Sequence, residues 1–191
     1  MRQDKEKVIE EIAFHYKEIL KLIGEDTERE GLIKTPMRAA KAIYDVTSGY
    51  ELDARDIASQ AIFEHSGSQL VIVKDIEFYS LCEHHILPFF GTVAIGYIPD
   101  GKMIGLSKLA RIVDVYAKRL QVQERLTSQV FNLLTETLPN QGVIVAVKAG
   151  HLCMKMRGVE KQESMTLTLD YTGKFLEDIE LRKEFLTLIN Q

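Results

Sequence analysis

Cysteine is scarce in this 191-residue chain, and long apolar runs are missing altogether. The two cysteines, Cys82 and Cys153, are far apart, and a single disulfide across so long a loop is disfavoured in a reducing compartment. They are left as buried small side chains or as metal ligands. No apolar stretch approaches the ~20 residues that cross a bilayer, and the segment Met1 to Lys7 is charged rather than signal-like. A basic excess is missing too. Lys and Arg total 24 against 28 Asp and Glu, a formal charge of -4, which argues against a nucleic-acid binder and requires any anionic ligand to be held by a local cluster. Glycine-serine linkers, low-complexity tracts and internal repeats are also absent. A cytoplasmic enzyme is expected.

What is present is the composition of an ordinary globular protein, 46% hydrophobic and 27% charged, with enough length for one catalytic domain and an appended helical segment. Val8, Ile9, Ile12, Ala13, Tyr16, Ile19, Leu20 and Ile23 recur at helical spacing before Gly24, which predicts an amphipathic helix with a glycine stop. Thr35-Pro36 opens a second helix, running towards Gly49, with a hydroxyl cap and proline in the first turn. Residues 1–50 are therefore read as a helical arm and 51–191 as the catalytic domain. In the latter the period shifts to that of strands over Leu70–Tyr79 and Thr92–Ile98. Ser107 is read as the cap of a helix whose apolar face carries Leu109, Ile112, Val113, Tyr116 and Leu120, and a further helix reaches Pro139. Gly142–Ala149 and Ser164–Tyr171 supply two more strands. The class is α+β, a four-stranded antiparallel sheet with two helices on one face. Such a sheet leaves its edges unpaired, and edge-to-edge assembly into a barrel is one solution.

The chemistry concentrates in Ser80-Leu-Cys-Glu-His-His-Ile-Leu-Pro88. Cys82 and His85 have the C-x-x-H spacing that lets one turn supply two ligands to a tetrahedral zinc, and Cys153, in His151-Leu-Cys153, is the third. Three protein ligands with an open fourth position make a catalytic rather than a structural zinc site. His84 and His151 remain as spare imidazoles suited to moving protons at neutral pH. Taken alone, Cys153 reads first as a small buried hydrophobe; the clustering of both cysteines with histidine favours the metal. Two basic clusters stand at helix starts, Ser107-Lys108 with Arg111 and, after Thr35-Pro36, Arg38 with Lys41. Cations there oppose the macrodipole, whereas an anion is favoured by free N–H groups and positive side chains together; a solvated basic face is the competing reading for Arg38 and Lys41. Arg157 is a further candidate for bringing the same anion to the metal. Glu124, near a helix start, is a capping or surface carboxylate, or the group that meets the adjacent N1–H and N2–H₂ donors of a guanine.

The segments SLCEHHILPF, IGLSKLARIV, RLQVQERLT and AGHLCMKMRG, in this order and spacing, closely resemble the signature blocks of the GTP cyclohydrolase I family. The likeness runs from TPMRAAK to EFLTLI. It implies the tunnelling fold, in which four-stranded sheets join into a barrel and two rings stack as a homodecamer with sites between subunits. It also implies zinc on Cys82, His85 and Cys153, acid-base roles for His84 and His151, and guanine binding by Glu124. Ser107, Lys108, Arg111 and Arg157 would lie around the ribose and triphosphate, with Arg38 and Lys41 also on phosphate. The implied reaction is hydrolysis at C8 of GTP, proton delivery to the imidazole nitrogen by His84 or His151, loss of formate and closure to 7,8-dihydroneopterin triphosphate. One departure is Leu169, where the family commonly has a hydroxyl residue. The zinc-dependent base deaminases also use His and Cys, but their H-x-E and P-C-x-x-C pattern is absent.

Overall fold

A computed structural model describes residues 4–191; the first three residues of the expected arm lie outside the described residues. The helical periodicity near the N-terminus becomes α1 (Lys5–Leu22), with the Asp4 carboxylate accepting from the Glu6 N–H at 3.3 Å. After Gly24, which takes the left-handed conformation at φ 90, the chain turns into α2 (Thr35–Val46), with Pro36 in its first turn. Thr35 is the first helical residue rather than the cap. Its hydroxyl donates to the Gly31 carbonyl at 3.2 Å, and Lys34 holds the cap position without a side-chain bond. The two helices pair around Ile9, Ala13, Ala40 and Tyr44. A 3₁₀ turn (Ser48–Glu51) and the short α3 (Ala54–Ser59) follow.

The remaining elements are β1 (Ile62–Glu64), β2 (Val71–Cys82), β3 (Pro88–Pro99), β4 (Lys102–Ile104), α4 (Leu106–Ala117), β5 (Leu120–Gln121), α5 (Gln123–Thr137), β6 (Asn140–His151), α6 (Leu152–Lys155), β7 (Thr166–Tyr171), α7 (Lys174–Glu177) and α8 (Ile179–Leu188). The principal sheet has the order β5-β2-β3-β6-β7. Its four long strands are antiparallel, and the two-residue β5 adds in parallel to β2. β1 and β4 form a separate ribbon.

Alternation along the strands divides the residues between two faces. Phe78, Val93, Ile95, Val145 and Val147 bury against Leu109 and Ile112 of α4 and Leu126 and Val130 of α5. This is the expected α+β layer, a four-stranded antiparallel sheet with two helices on one face. Ala94, Ile98, Ile144 and Ala146, on the other side, receive Phe175 and Phe185 from α7 and α8, a partial second cover that the strand and helix pattern did not anticipate. Leu169 belongs to this second cluster, opposite Ala146. Its departure from a hydroxyl residue thus adds apolar packing there, while Thr168 next to it supplies a hydroxyl towards α5.

Two further helix readings change. Ser107 does not cap α4; Gly105 does, without a side-chain bond. Leu120 lies off the α4 face, because the helix ends at Ala117 and Leu120 pairs with Leu81 in β5. The helical spacing of Leu120 is coincidental, and a two-residue strand has no period to read.

The consequence for function is a shared end of the sheet. Cys82 and Gln121 close β2 and β5 side by side, His151 closes β6 opposite Phe89 of β3, and Thr166 opens β7. Gly91 sustains the close β3–β6 approach behind that end, since a Cβ there would stand 1.9 Å from the Lys148 carbonyl oxygen.

Candidate metal centre and substrate cleft

The β2–β3 turn is built to present side chains. The Cys82 N–H donates to the Leu87 carbonyl at 2.9 Å and the Ile86 N–H to the Cys82 carbonyl at 2.8 Å, with Ile86 held at φ 54, a costly conformation for a β-branched residue. Cys82 is buried, at 6% exposure. Cys153 comes from α6, the four-residue helix after β6, rather than from the strand end itself. The ligand atoms of Cys82, His85 and Cys153 all lie within 4.8 Å of one another, and both cysteines are free thiols. Zinc–sulfur and zinc–nitrogen bonds of about 2.3 and 2.0 Å at the tetrahedral angle put such ligands about 3.6 Å apart. The Cys82 Sγ to His85 Nδ1 distance is 3.7 Å, so this donor set fits a tetrahedral cation of zinc's size. His84 Nδ1 is only slightly farther from Cys82, at 3.9 Å, yet only His85 converges with both thiols. The His84 ring points its Nε2 towards Glu83, 3.9 Å away.

Electrostatics fit the same assignment. Burial pushes the Cys153 thiol up, and the neighbouring Cys82 adds to the shift, with Arg157 drawing it weakly back. A thiol pushed up in this way, as Cys153 is, gives up its proton most readily to a cation that takes the proton's place. Burial also pushes His151 below its ordinary value, against an opposing pull from Glu124. Its ring lies flat on Phe89, centroids 4.7 Å apart at 2°.

Gln123 assigns the proton on that ring. Its Nε2 lies 2.9 Å from the Val147 carbonyl and 3.1 Å from the Thr166 carbonyl, which can only accept, so the amide nitrogen must face them and Oε1 must face His151. The 2.8 Å contact between Gln123 Oε1 and His151 Nε2 therefore needs a proton on Nε2. Nδ1 is left as the basic nitrogen of the neutral ring. Gln123 is itself 1% exposed. Reasoning from sequence passes it over because a glutamine in a helix's first turn reads as surface; its only signal is its place in the same Gln-Val-Gln-Glu-Arg run as Glu124.

One cleft of about 220 Å³ gathers Cys82, His84, His85, Glu124, His151 and Cys153. A larger groove, about 550 Å³, lies against α8 and its lining holds neither cysteine nor histidine. The anion candidates are elsewhere. Ser107, Lys108 and Arg111 stand at the start of α4, and Arg38 and Lys41 on α2; neither helix has an acidic residue in its first turn. Neither these nor Arg157 line the cleft, although Arg157 is close enough to influence Cys153.

The family model of GTP cyclohydrolase I matches residues 12–190. Relatives named GTP cyclohydrolase 1 include one from Porphyromonas gingivalis, 54% identical over 98% of this chain and 97% of its own length. Another, from Bacteroides fragilis, is 52% identical over 98% of both chains. A third, from Rattus norvegicus, is 50% identical over 98% of this chain and 78% of its own. The family match starts within α1, upstream of TPMRAAK, so the arm shares in the likeness. With its Cys-His-Cys cluster and cleft in place, the chain belongs to the GTP cyclohydrolase I family.

Proposed function

We propose that this protein is a zinc-dependent hydrolase that converts GTP and water to 7,8-dihydroneopterin triphosphate and formate, the entry step of folate and tetrahydropterin synthesis. The observation that carries the reading is the convergence of Cys82, His85 and Cys153 in a cleft that also holds two further imidazoles and a carboxylate. A zinc ion held by those three ligands supplies Lewis-acid activation of water at neutral pH. Glu124 accepts from guanine N1–H and N2–H₂, which orients the purine and leaves C8 towards the ligand cluster. His151 takes up a proton at Nδ1, and His84, with its side chain 65% exposed, hands one to the imidazole nitrogen as the ring opens.

The triphosphate is assigned to Ser107, Lys108, Arg111 and Arg157, with Arg38 and Lys41 on the arm. None of them lines the cleft of its own chain, and of the six only Arg157 acts on Cys153; a cleft completed by a neighbouring copy accounts for the other five best, in a cytoplasmic homodecamer of two stacked rings.

The deciding experiment incubates metal-analysed protein with GTP. One formate per GTP and the rise of pterin absorbance, abolished by a chelator and restored by zinc, are expected. Intact GTP bound to zinc-loaded protein would instead mark a nucleotide sensor. Glu124→Gln exchanges a charged acceptor for a neutral one, and the KM for GTP should rise roughly tenfold to hundredfold. Inosine triphosphate lacks the N2 amine and should suffer less; equal losses for both nucleotides would count against guanine recognition by Glu124.

A further inference from the structure

The turn that carries two of the metal ligands is gripped from outside the cleft. Arg125 donates from Nη1 to Glu83 Oε2 at 2.6 Å and from Nη2 to Glu83 Oε1 at 2.8 Å, a fork-on-fork pair. The Glu83 N–H donates to the Gln121 carbonyl at 2.9 Å. Glu83 is thus held through backbone and side chain by residues 121 and 125, which bracket Glu124. Neither Glu83 nor Arg125 lines the cleft, although Glu83 Oε1 stands 3.9 Å from His84 Nε2, so the pair acts through its neighbours.

We propose that Glu83 and Arg125 form a positioning pair that locks the metal-ligand turn to the start of α5, fixing the separation between the metal corner and the Glu124 carboxylate. The inference rests on the zinc and guanine roles proposed above. A backbone that keeps Ile86 in the left-handed region persists only where its surroundings over-determine it, and the pair supplies one of those constraints. An ordinary surface ion pair would contribute almost nothing, since the Arg125 and Glu83 side chains are 44% and 30% exposed. What separates this pair from that case is its geometry and its place. Two parallel bonds require guanidinium rather than ammonium, and they join the residue after Cys82 to the residue after Glu124.

The test uses zinc-loaded Glu83→Gln, Arg125→Gln, Arg125→Lys and the double variant Glu83→Gln/Arg125→Gln. Zinc transfer to a chromophoric chelator and the KM for GTP and for inosine triphosphate are measured. Each single variant, including the charge-keeping Arg125→Lys, is expected to release zinc about tenfold faster, the scale on which outer-shell partners act. The KM for GTP should rise and the preference over inosine triphosphate should narrow, with kcat little changed in the Arg125 variants; Glu83→Gln also removes the carboxylate 3.9 Å from His84 Nε2, so its kcat is not used as a readout. The double variant should be no worse than either single, because the pair acts as a unit. Unchanged zinc release, wild-type behaviour of Arg125→Lys, or losses that add in the double variant would overturn the pair. Should the neutral variants fail to fold, Arg125→Lys alone decides, as it keeps charge and helix propensity. Wild-type protein that binds zinc but leaves GTP intact would overturn the proposed function instead, and the zinc-release arm would still judge the clamp.

Discussion

Cys153→Ala is expected to strip the protein of tightly held zinc and of turnover together. Apparent binding of zinc by four ligands is worth about 10–16 kcal/mol, so one thiolate accounts for roughly 3 kcal/mol, a hundredfold to thousandfold in affinity. The loss at this site should reach the upper end. Only Cys82 and His85 would remain of a set whose ligand atoms all lie within 4.8 Å, and two ligands from one short turn cannot fix a tetrahedral ion. The fold should survive, since Cys153 stands on the four-residue α6 and is only partly buried beside the main core. Zinc measured on dialysed variant and parent, alongside formate release, separates the outcomes. Zinc still at one per chain would end the three-ligand assignment; zinc lost with turnover intact would end the metal's role in the reaction.

The legible parts of this site are those whose geometry is local. Cys82 and His85 can be paired from sequence because a turn of four residues places both on one side, whatever the rest of the chain does. Cys153 can be added because few other soft ligands exist in the chain, yet its true support, a short helix beyond β6, leaves no periodic trace in so few residues. The long strands announce themselves by alternation, and three of them run beyond the apolar stretch that reveals them, β2 to Cys82, β3 back to Pro88 and β6 to His151, whereas β7 starts at Thr166, two residues after the expected Ser164. Those added polar ends are where the cleft lies. Gln123 and Phe89 are invisible for the opposite reason. Each acts on His151 across the sheet, and nothing in the residues around position 123 or 89 says which side chain a long-range pairing will bring near. Likewise Arg125 reads as one more charge on an exposed helix until the β2–β3 turn is seen to place Glu83 against it. The basic clusters at the starts of α2 and α4 stand out in the sequence, but that they do not line the cleft of their own chain is a property of the folded chain.

His151→Ala should leave zinc at the level of the parent and lower kcat by about 10²- to 10⁴-fold, the usual worth of a positioned proton-transfer group. The ring is fixed on both sides, by the flat stack on Phe89 and by Gln123 at Nε2, so its removal takes away a preset acceptor that solvent replaces poorly. The pH profile gives the sign. Burial holds the His151 pKa below its ordinary value of 6.5, and a divalent cation nearby would push it the same way, so the ring is neutral at pH 7. As pH falls through that lowered pKa the accepting form is lost, which places the acid limb of kcat/KM below pH 6.5. Glu124 pulls the His151 pKa upward; in Glu124→Gln the same limb should move to lower pH. His151→Ala should lose the limb altogether. In a His84→Ala background, where the proton-donating imidazole no longer titrates, a rate that rises as pH is lowered from 7 towards 6 would mean that the charged His151 imidazolium is the active form, and proton uptake at His151 Nδ1 would have to be abandoned.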